Sequence, residues 1–125
     1  MNVGRAMESL SKIIERLNQI HKAQAVFITN IAGKDVDWDM TFQFNLDNEE
    51  PFYLEIKERK GKIKPGTLEA AEIVLSGDPE ALVRICEGKG DFTHAISREQ
   101  INVEKGKVMD VIRLTRAITI VLKTK

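Results

Sequence analysis

The stretch GDPEALVRICEGKGDFTHAISREQINVEKGK, residues 77–107, holds the only cysteine, one of the two histidines and four of the eight glycines. It could carry out chemistry or form a length of wall, and its local pattern resolves into structural pieces. Asp78 followed by Pro79 predicts a helix start. An aspartate side chain accepts from the unpaired amides of the first turn, and proline at the first helical position gives up no hydrogen bond. Ala81, Leu82, Ile85 and Cys86 then form an apolar stripe, and Gly88 ends the helix. Asp91 caps a second short helix that buries Phe92, Ala95 and Ile96. QINVEKGK reads as a strand with Ile101 and Val103 inward, closed by a glycine turn.

Upstream, the period changes twice. Residues 3–20 place Val3, Ala6, Met7, Leu10, Ile13, Ile14, Leu17 and Ile20 at steps of three and four, the signature of an amphipathic helix. Asn2 stands where it could cap that helix. The stripe can pack on its own domain, and its heptad-like subset leaves room for a homodimer through this helix. WDMTFQFNL, residues 38–46, alternates instead: Trp38, Met40, Phe42, Phe44 and Leu46 against Asp39, Thr41, Gln43 and Asn45, a half-buried strand. DNEEP turns the chain, and Phe52, Leu54 and Ile56 repeat the alternation. RKGK folds that strand into a hairpin with residues 62–65, and Ala71, Ile73 and Leu75 supply another inner face. In residues 108–123 the β-branched run ITIVL favours a strand by propensity. Yet Asp110, Arg113, Arg116, Thr119 and Lys123 fall three or four apart opposite Val108, Val111, Leu114, Ile118 and Val121, so the spacing predicts a C-terminal helix. A helix, a run of strands, two short helices, a strand and a helix make an α+β fold, with a mainly antiparallel sheet covered on one face.

The 125 residues fit one domain spanning 1–125, with 42% apolar and 30% charged side chains. Nineteen basic and nineteen acidic residues cancel, which gives no global field for nucleic acid. A lone cysteine, no membrane-length apolar run and no apolar block in MNVGRAMESLSK lead to the expectation of a cytoplasmic domain.

Local motifs propose no catalysis, metal or cofactor. His21 and His94 lack a companion at i+3 or i+4 that would form a metal pair. Cys86 lies on an apolar stripe as an inert core thiol. Asp35, Asp37 and Asp39 alternate like the start of a calcium loop, but Met40 and Leu46 stand where glycine and glutamate are required. The Gly-Lys pairs lack the spacing of a phosphate loop. KERKGKIK sets Lys57, Arg59, Lys60, Lys62 and Lys64 against one acid, Glu58. This cluster is either a solvated hairpin tip or a foot for anionic lipid headgroups. It has no interleaved aromatic residues for stacking nucleic-acid bases.

Taken together, these pieces resemble the sterol carrier protein type 2 domain. The resemblance rests on Gly77-Asp78, Gly88-Lys89, Ala95 and Ile101-x-Val103, with WDMTFQFNL and PFYLEIKERKGKI in the positions of the family's first two strands. It spans the chain from about residue 8. Two departures are Glu99, where the family often has glycine before its last strand, and the next glycine, one place later at Gly106. A terminal Ser-Lys-Leu of peroxisomal members is replaced by Lys123-Thr124-Lys125, in keeping with a cytoplasmic expectation.

The resemblance implies a five-stranded sheet and an apolar tunnel between sheet and helices. It also implies non-catalytic binding or transfer of a fatty acid, fatty acyl-CoA, sterol-like molecule or phospholipid. Projected by inward parity, the sheet lining is Phe42, Phe44, Phe52, Leu54, Ile73 and Leu75. Helix faces add Phe92, Ile96, Met109 and Ile112. An accessory or protein-interaction domain of the same fold, without lipid, is the alternative. A dry tunnel of ~300 Å³ would cost roughly 7 kcal/mol at about 24 cal/mol per Å³, against a domain stability of about 5–15 kcal/mol. The tunnel is therefore filled by lipid, or the helices collapse onto the sheet.

Overall fold

A computed structural model describes residues 4–124. The expected cap Asn2 and the first stripe residue Val3 lie outside the described residues. Helix α1 (Arg5–Leu17) starts after extended Gly4 with no side-chain cap. Its stripe, Ala6, Leu10, Ile13, Ile14 and Leu17, is buried. The helix packs on α3 (Pro79–Cys86), α5 (Val108–Lys123) and strand β5 (Lys60–Pro65), so its apolar face is used within the chain.

Five strands form the main sheet in the order β5-β4-β3-β6-β7, where β3 is Met40–Leu46, β4 Phe52–Lys57, β6 Ile73–Gly77 and β7 Ile101–Lys105. Every neighbouring pair is antiparallel except β3 and β6, which run parallel. The reason lies in residues 66–72, which carry the chain from the β5 edge to β6 across the outer face. Thr41 and Gln43 hold that crossover. The Thr41 hydroxyl accepts from the Glu72 amide at 2.9 Å. Gln43 Oε1 accepts from the Leu68 amide at 2.6 Å, and its Nε2 donates to the Gly66 and Phe52 carbonyls. Gln43 therefore faces outward, as alternation requires, yet is only 2% exposed because the crossover covers it.

The inner face of the sheet is closed. Phe42, Phe44, Phe52, Leu54, Ile73 and Leu75 are all buried beneath the helix layer. Asp78 caps α3 through the Glu80 amide, with Pro79 opening the helix, and Asp91 caps α4 (Phe92–Ser97) through the His94 amide. Residues 108–123 are helical over their whole length, since Val111, Leu114, Ala117, Ile118 and Val121 make one buried stripe. Val108, expected on that stripe, is 43% exposed at the first position of the helix.

Residues 21–37 carry no clear apolar period in the sequence. They form α2 (His21–Gln24), a short 3-10 turn (Ala25–Phe27) and a separate hairpin of β1 (Ile28–Ile31) and β2 (Lys34–Asp37). The alternating aspartates Asp35, Asp37 and Asp39 belong to this hairpin and its exit. No group of three or more metal-ligating side chains occurs among the described residues.

Candidate functional site

Alternation along β3 turns Phe42 and Phe44 inward, and the antiparallel register sets Phe44 opposite Phe52 on β4. At the start of β3 the backbone amide of Trp38 donates to the Phe27 carbonyl at 2.8 Å, which brings two more rings to the same layer. The result is a continuous row of five aromatic rings. Phe27 and Trp38 stack at 5.7 Å between centroids, and Trp38 meets Phe42 at 6.1 Å. Phe42 and Phe44 lie at 6.5 Å, and Phe44 and Phe52 stack at 4.8 Å. Such separations lie in the favourable range for offset rings. Four of the rings are fully or almost fully buried, and Trp38, second in the row after Phe27, is half-buried.

The structure brings most of the projected lining onto this layer. Phe42, Phe44, Phe52, Leu54, Ile73 and Leu75 share the inner sheet face, and Phe92 is buried at the start of α4. Ile96 and Ile112 are half-buried. Met109 stands apart, 72% exposed on the first turn of α5. Phe27 and Trp38 complete the row although the projected lining did not include them. Trp38 stood on the inward parity of WDMTFQFNL, so that signal was present, whereas Phe27 lies in a turn with no periodic neighbours.

Arg113 lies over Trp38. Its guanidinium sits 4.8 Å from the Trp38 ring centroid, and Nη1 donates to the Thr29 hydroxyl at 2.8 Å. This cation over an aromatic face ties the β1–β2 hairpin to α5. In the sequence Arg113 is one of several residues on the polar side of a helix, and nothing there distinguishes it.

The basic cluster divides. Lys57, Lys60, Lys62 and Lys64 line an open depression of about 630 Å³ beside β5, together with Glu55 and Glu58. Lys64 lies 3.8 Å from Glu55, while Arg59 turns away to Asp37 of the hairpin at 3.5 Å. A further open cleft of about 370 Å³ runs between the end of α3 and α5, lined in part by Ile85, Gly88, Thr115, Ile118 and Leu122. His21 and His94 are both exposed, and His94 lies 3.2 Å from Asp91. Cys86 is buried. That burial, with a smaller contribution from the neighbouring Glu87 charge, pushes its thiol up to about 12.

A search of the curated proteins gives no match. Among solved structures, the crystal structure of sterol carrier protein 2 aligns with a TM-score of 0.65 at 13% identity, over 94% of this chain and 96% of that one. Palmitated SCP2L2 from Aedes aegypti aligns at 0.56 and 19% identity, over 86% of this chain and 92% of its own. The sec-alkylsulfatase Pisa1 from Pseudomonas sp. aligns at 0.56 and 15% identity over 70% of this chain, which spans only 13% of the sulfatase. These likenesses establish the shared fold. The family model described as the SCP-2 sterol transfer family matches residues 14–118, most of the length and all five strands of the main sheet. The chain belongs to the SCP-2 sterol transfer family.

Proposed function

We propose that this chain is a non-catalytic lipid-binding and lipid-transfer domain. It holds the apolar part of a fatty acid, fatty acyl-CoA, sterol-like molecule or phospholipid between the sheet's inner face and the helices. The observation that carries this reading is the row of five rings from Phe27 to Phe52, which gives a tail an uninterrupted carbon surface with no ionisable side chain in it. Membership in the SCP-2 sterol transfer family supports lipid binding or transfer in general. The aligned Aedes aegypti protein carries palmitate, and the same class of ligand suits this row.

A tail enters such a site by displacing packed side chains, so Phe92, Ile96 and Ile112 on the helices move against the sheet as it enters. The four lysines around the depression beside β5 then serve a headgroup or an anionic membrane surface. No helix among the described residues is long and apolar enough to cross a membrane. The non-catalytic part of the reading rests on the lining and on Cys86, whose thiol is protonated at neutral pH and therefore a poor nucleophile.

Native mass spectrometry of protein purified without detergent tests the proposal. The expected result is a mass excess that disappears on denaturation and matches an extractable lipid. A bare mass that stays unchanged after incubation with fatty acids and acyl-CoAs would overturn it and turn attention to a protein partner.

A further inference from the structure

The four large apolar side chains that stand exposed among the described residues are not scattered. Ile31 (58%) and Val36 (43%) lie on the β1–β2 hairpin, and Val108 (43%) and Met109 (72%) on the first turn of α5. The hairpin register places Thr29 opposite Val36 and Ile31 opposite Lys34, so these four residues share one face. That face is the one turned to α5, because Thr29 accepts the hydrogen bond from Arg113. Met109 precedes Arg113 by one helical turn on the same side of α5. Arg113 thus joins the hairpin's apolar face to α5, one turn after Met109, and lies over Trp38 of the aromatic row.

The charges sort by face. Lys34 is the only charged residue on the hairpin's apolar face, and Lys107 immediately precedes α5. Among the described residues, neither they nor Arg113 has a carboxylate within ion-pair distance. Asp35 and Asp37 point to the reverse face, where Asp35 accepts from Asn30 and Asp37 pairs with Arg59. The one acid on the α5 side is Asp110, in the first helical turn. The area decides between occupants. Four such side chains present on the order of a few hundred Å², short of the ~800 Å² per partner that a stable protein interface buries. Apolar side chains projecting from a hairpin tip and a helix start, rimmed by unpaired cations, match the interfacial zone of an anionic bilayer.

We propose that the β1–β2 hairpin and the first turn of α5 form the surface by which this protein docks on an anionic bilayer, inserting Ile31, Val36, Val108 and Met109, with Arg113 at the threshold of the aromatic row. The docking surface extends the lipid-carrier reading given above and rests on it for its purpose. The Arg59–Asp37 ion pair joins the hairpin's reverse face to the turn between β4 and β5, whose neighbouring residues Glu58 and Lys60 line the lysine depression.

Co-sedimentation with phosphatidylcholine vesicles, with and without phosphatidylglycerol, tests the surface. The full chain is compared with the double variant Ile31→Asp/Val108→Asp and with Lys34→Glu/Lys107→Glu. All four positions are exposed, and circular dichroism confirms that each variant folds. The expected result is binding to phosphatidylglycerol vesicles that weakens with salt. The aspartate variant should bind at least tenfold more weakly, and the glutamate variant should lose the preference for phosphatidylglycerol. Equal binding by wild type and both variants overturns the proposal, as does a wild type that binds neither vesicle. A wild-type dimer that the aspartate variant dissolves, without vesicle binding, overturns it in favour of a second copy of the chain. Native mass spectrometry of the same samples separates the two readings. A wild type that carries lipid but ignores vesicles leaves the carrier reading standing alone. One that carries no lipid but docks through this face supports the docking surface and removes the carrier reading.

Discussion

Glu99 shows how one residue carries a cost that the fold imposes. It sits between α4 and β7 at φ 60°, in the left-handed region. Its side chain is exposed, so the strain gains nothing from packing. An L-residue with a Cβ loses about 1–2 kcal/mol in that conformation, and glycine returns part of the gain through its freer unfolded chain. Glu99→Gly should therefore stabilise the protein by roughly 0.5–1 kcal/mol, measured as a shift in the urea midpoint with unchanged slope. The sequence marked this position as the place where the family's glycine is missing. The opposite case is Gly77, at φ 131°, where an added Cβ would meet the Gln100 carbonyl oxygen. Cys86 is a third instance. Its thiol rises from 9.0 to about 12 through burial, so the folded form stays protonated while the unfolded chain ionises. The stability this contributes is fully present below pH 9 and is lost as the pH rises from about 9 to 12. Thiol-reagent labelling at pH 8 should follow global unfolding, and fast labelling of native protein would contradict the burial.

At the scale of elements, a polar tie joins α1 to the sheet edge. β5 is an edge strand, and Gly61, its second residue, lies against Ile14 of α1. Asn18, at the end of α1, donates to the Gly61 carbonyl and accepts from the Gly61 amide, each at 2.8 Å. One side chain thereby satisfies both backbone groups of a residue that has no further strand to pair with. Asn18→Ala strips both groups at a partly buried site, and a loss of about 1–3 kcal/mol is expected by chemical denaturation. Faster amide exchange confined at first to β5 would accompany it. Arg16, two residues before Asn18, ties the same end of α1 to the close of α5, donating to the Val121 and Thr124 carbonyls. The β1–β2 hairpin has no comparable anchor in the core. Its residues are exposed or half-buried, and it is held by Arg113 on one face and Arg59 on the other.

For the whole molecule, the closed inner face and the proposed ligand must be reconciled energetically. A ligand that binds only the folded state adds stability by mass action, about 2.7 kcal/mol at one hundred times its dissociation constant. For a chain of this size that corresponds to a rise in melting temperature of roughly 10 °C. Titrating a fatty acid should therefore raise the melting temperature continuously with concentration. A flat response, in protein first stripped of lipid, would count against the site between sheet and helices.

Much of the architecture was legible because it is periodic. Alternation in residues 38–46 and 52–56 named the inward side chains, the three- and four-residue spacing identified α5 against its β-branched composition, and Asp78-Pro79 marked the start of α3. Residues 21–37 were not legible in that way. β1 and β2 have four residues each and bury neither face fully, so no alternation of apolar and polar side chains records them. The parallel pairing of β3 with β6, the burial of outward-facing Gln43 and the exposure of Met109 also escaped the pattern. Each depends on where a distant segment passes: the crossover at residues 66–72, or the end of the sheet beneath α5. By itself, the sequence determined the secondary structure of the long elements, the inward set of the sheet and the family, because burial writes a period into the chain. Only the tertiary structure decided that Phe27 and Trp38 extend the aromatic row, that Arg113 bridges hairpin and helix, and that the large exposed apolar residues fall on the hairpin and the first turn of α5. Those are contacts between segments far apart in the chain, and no local period encodes them.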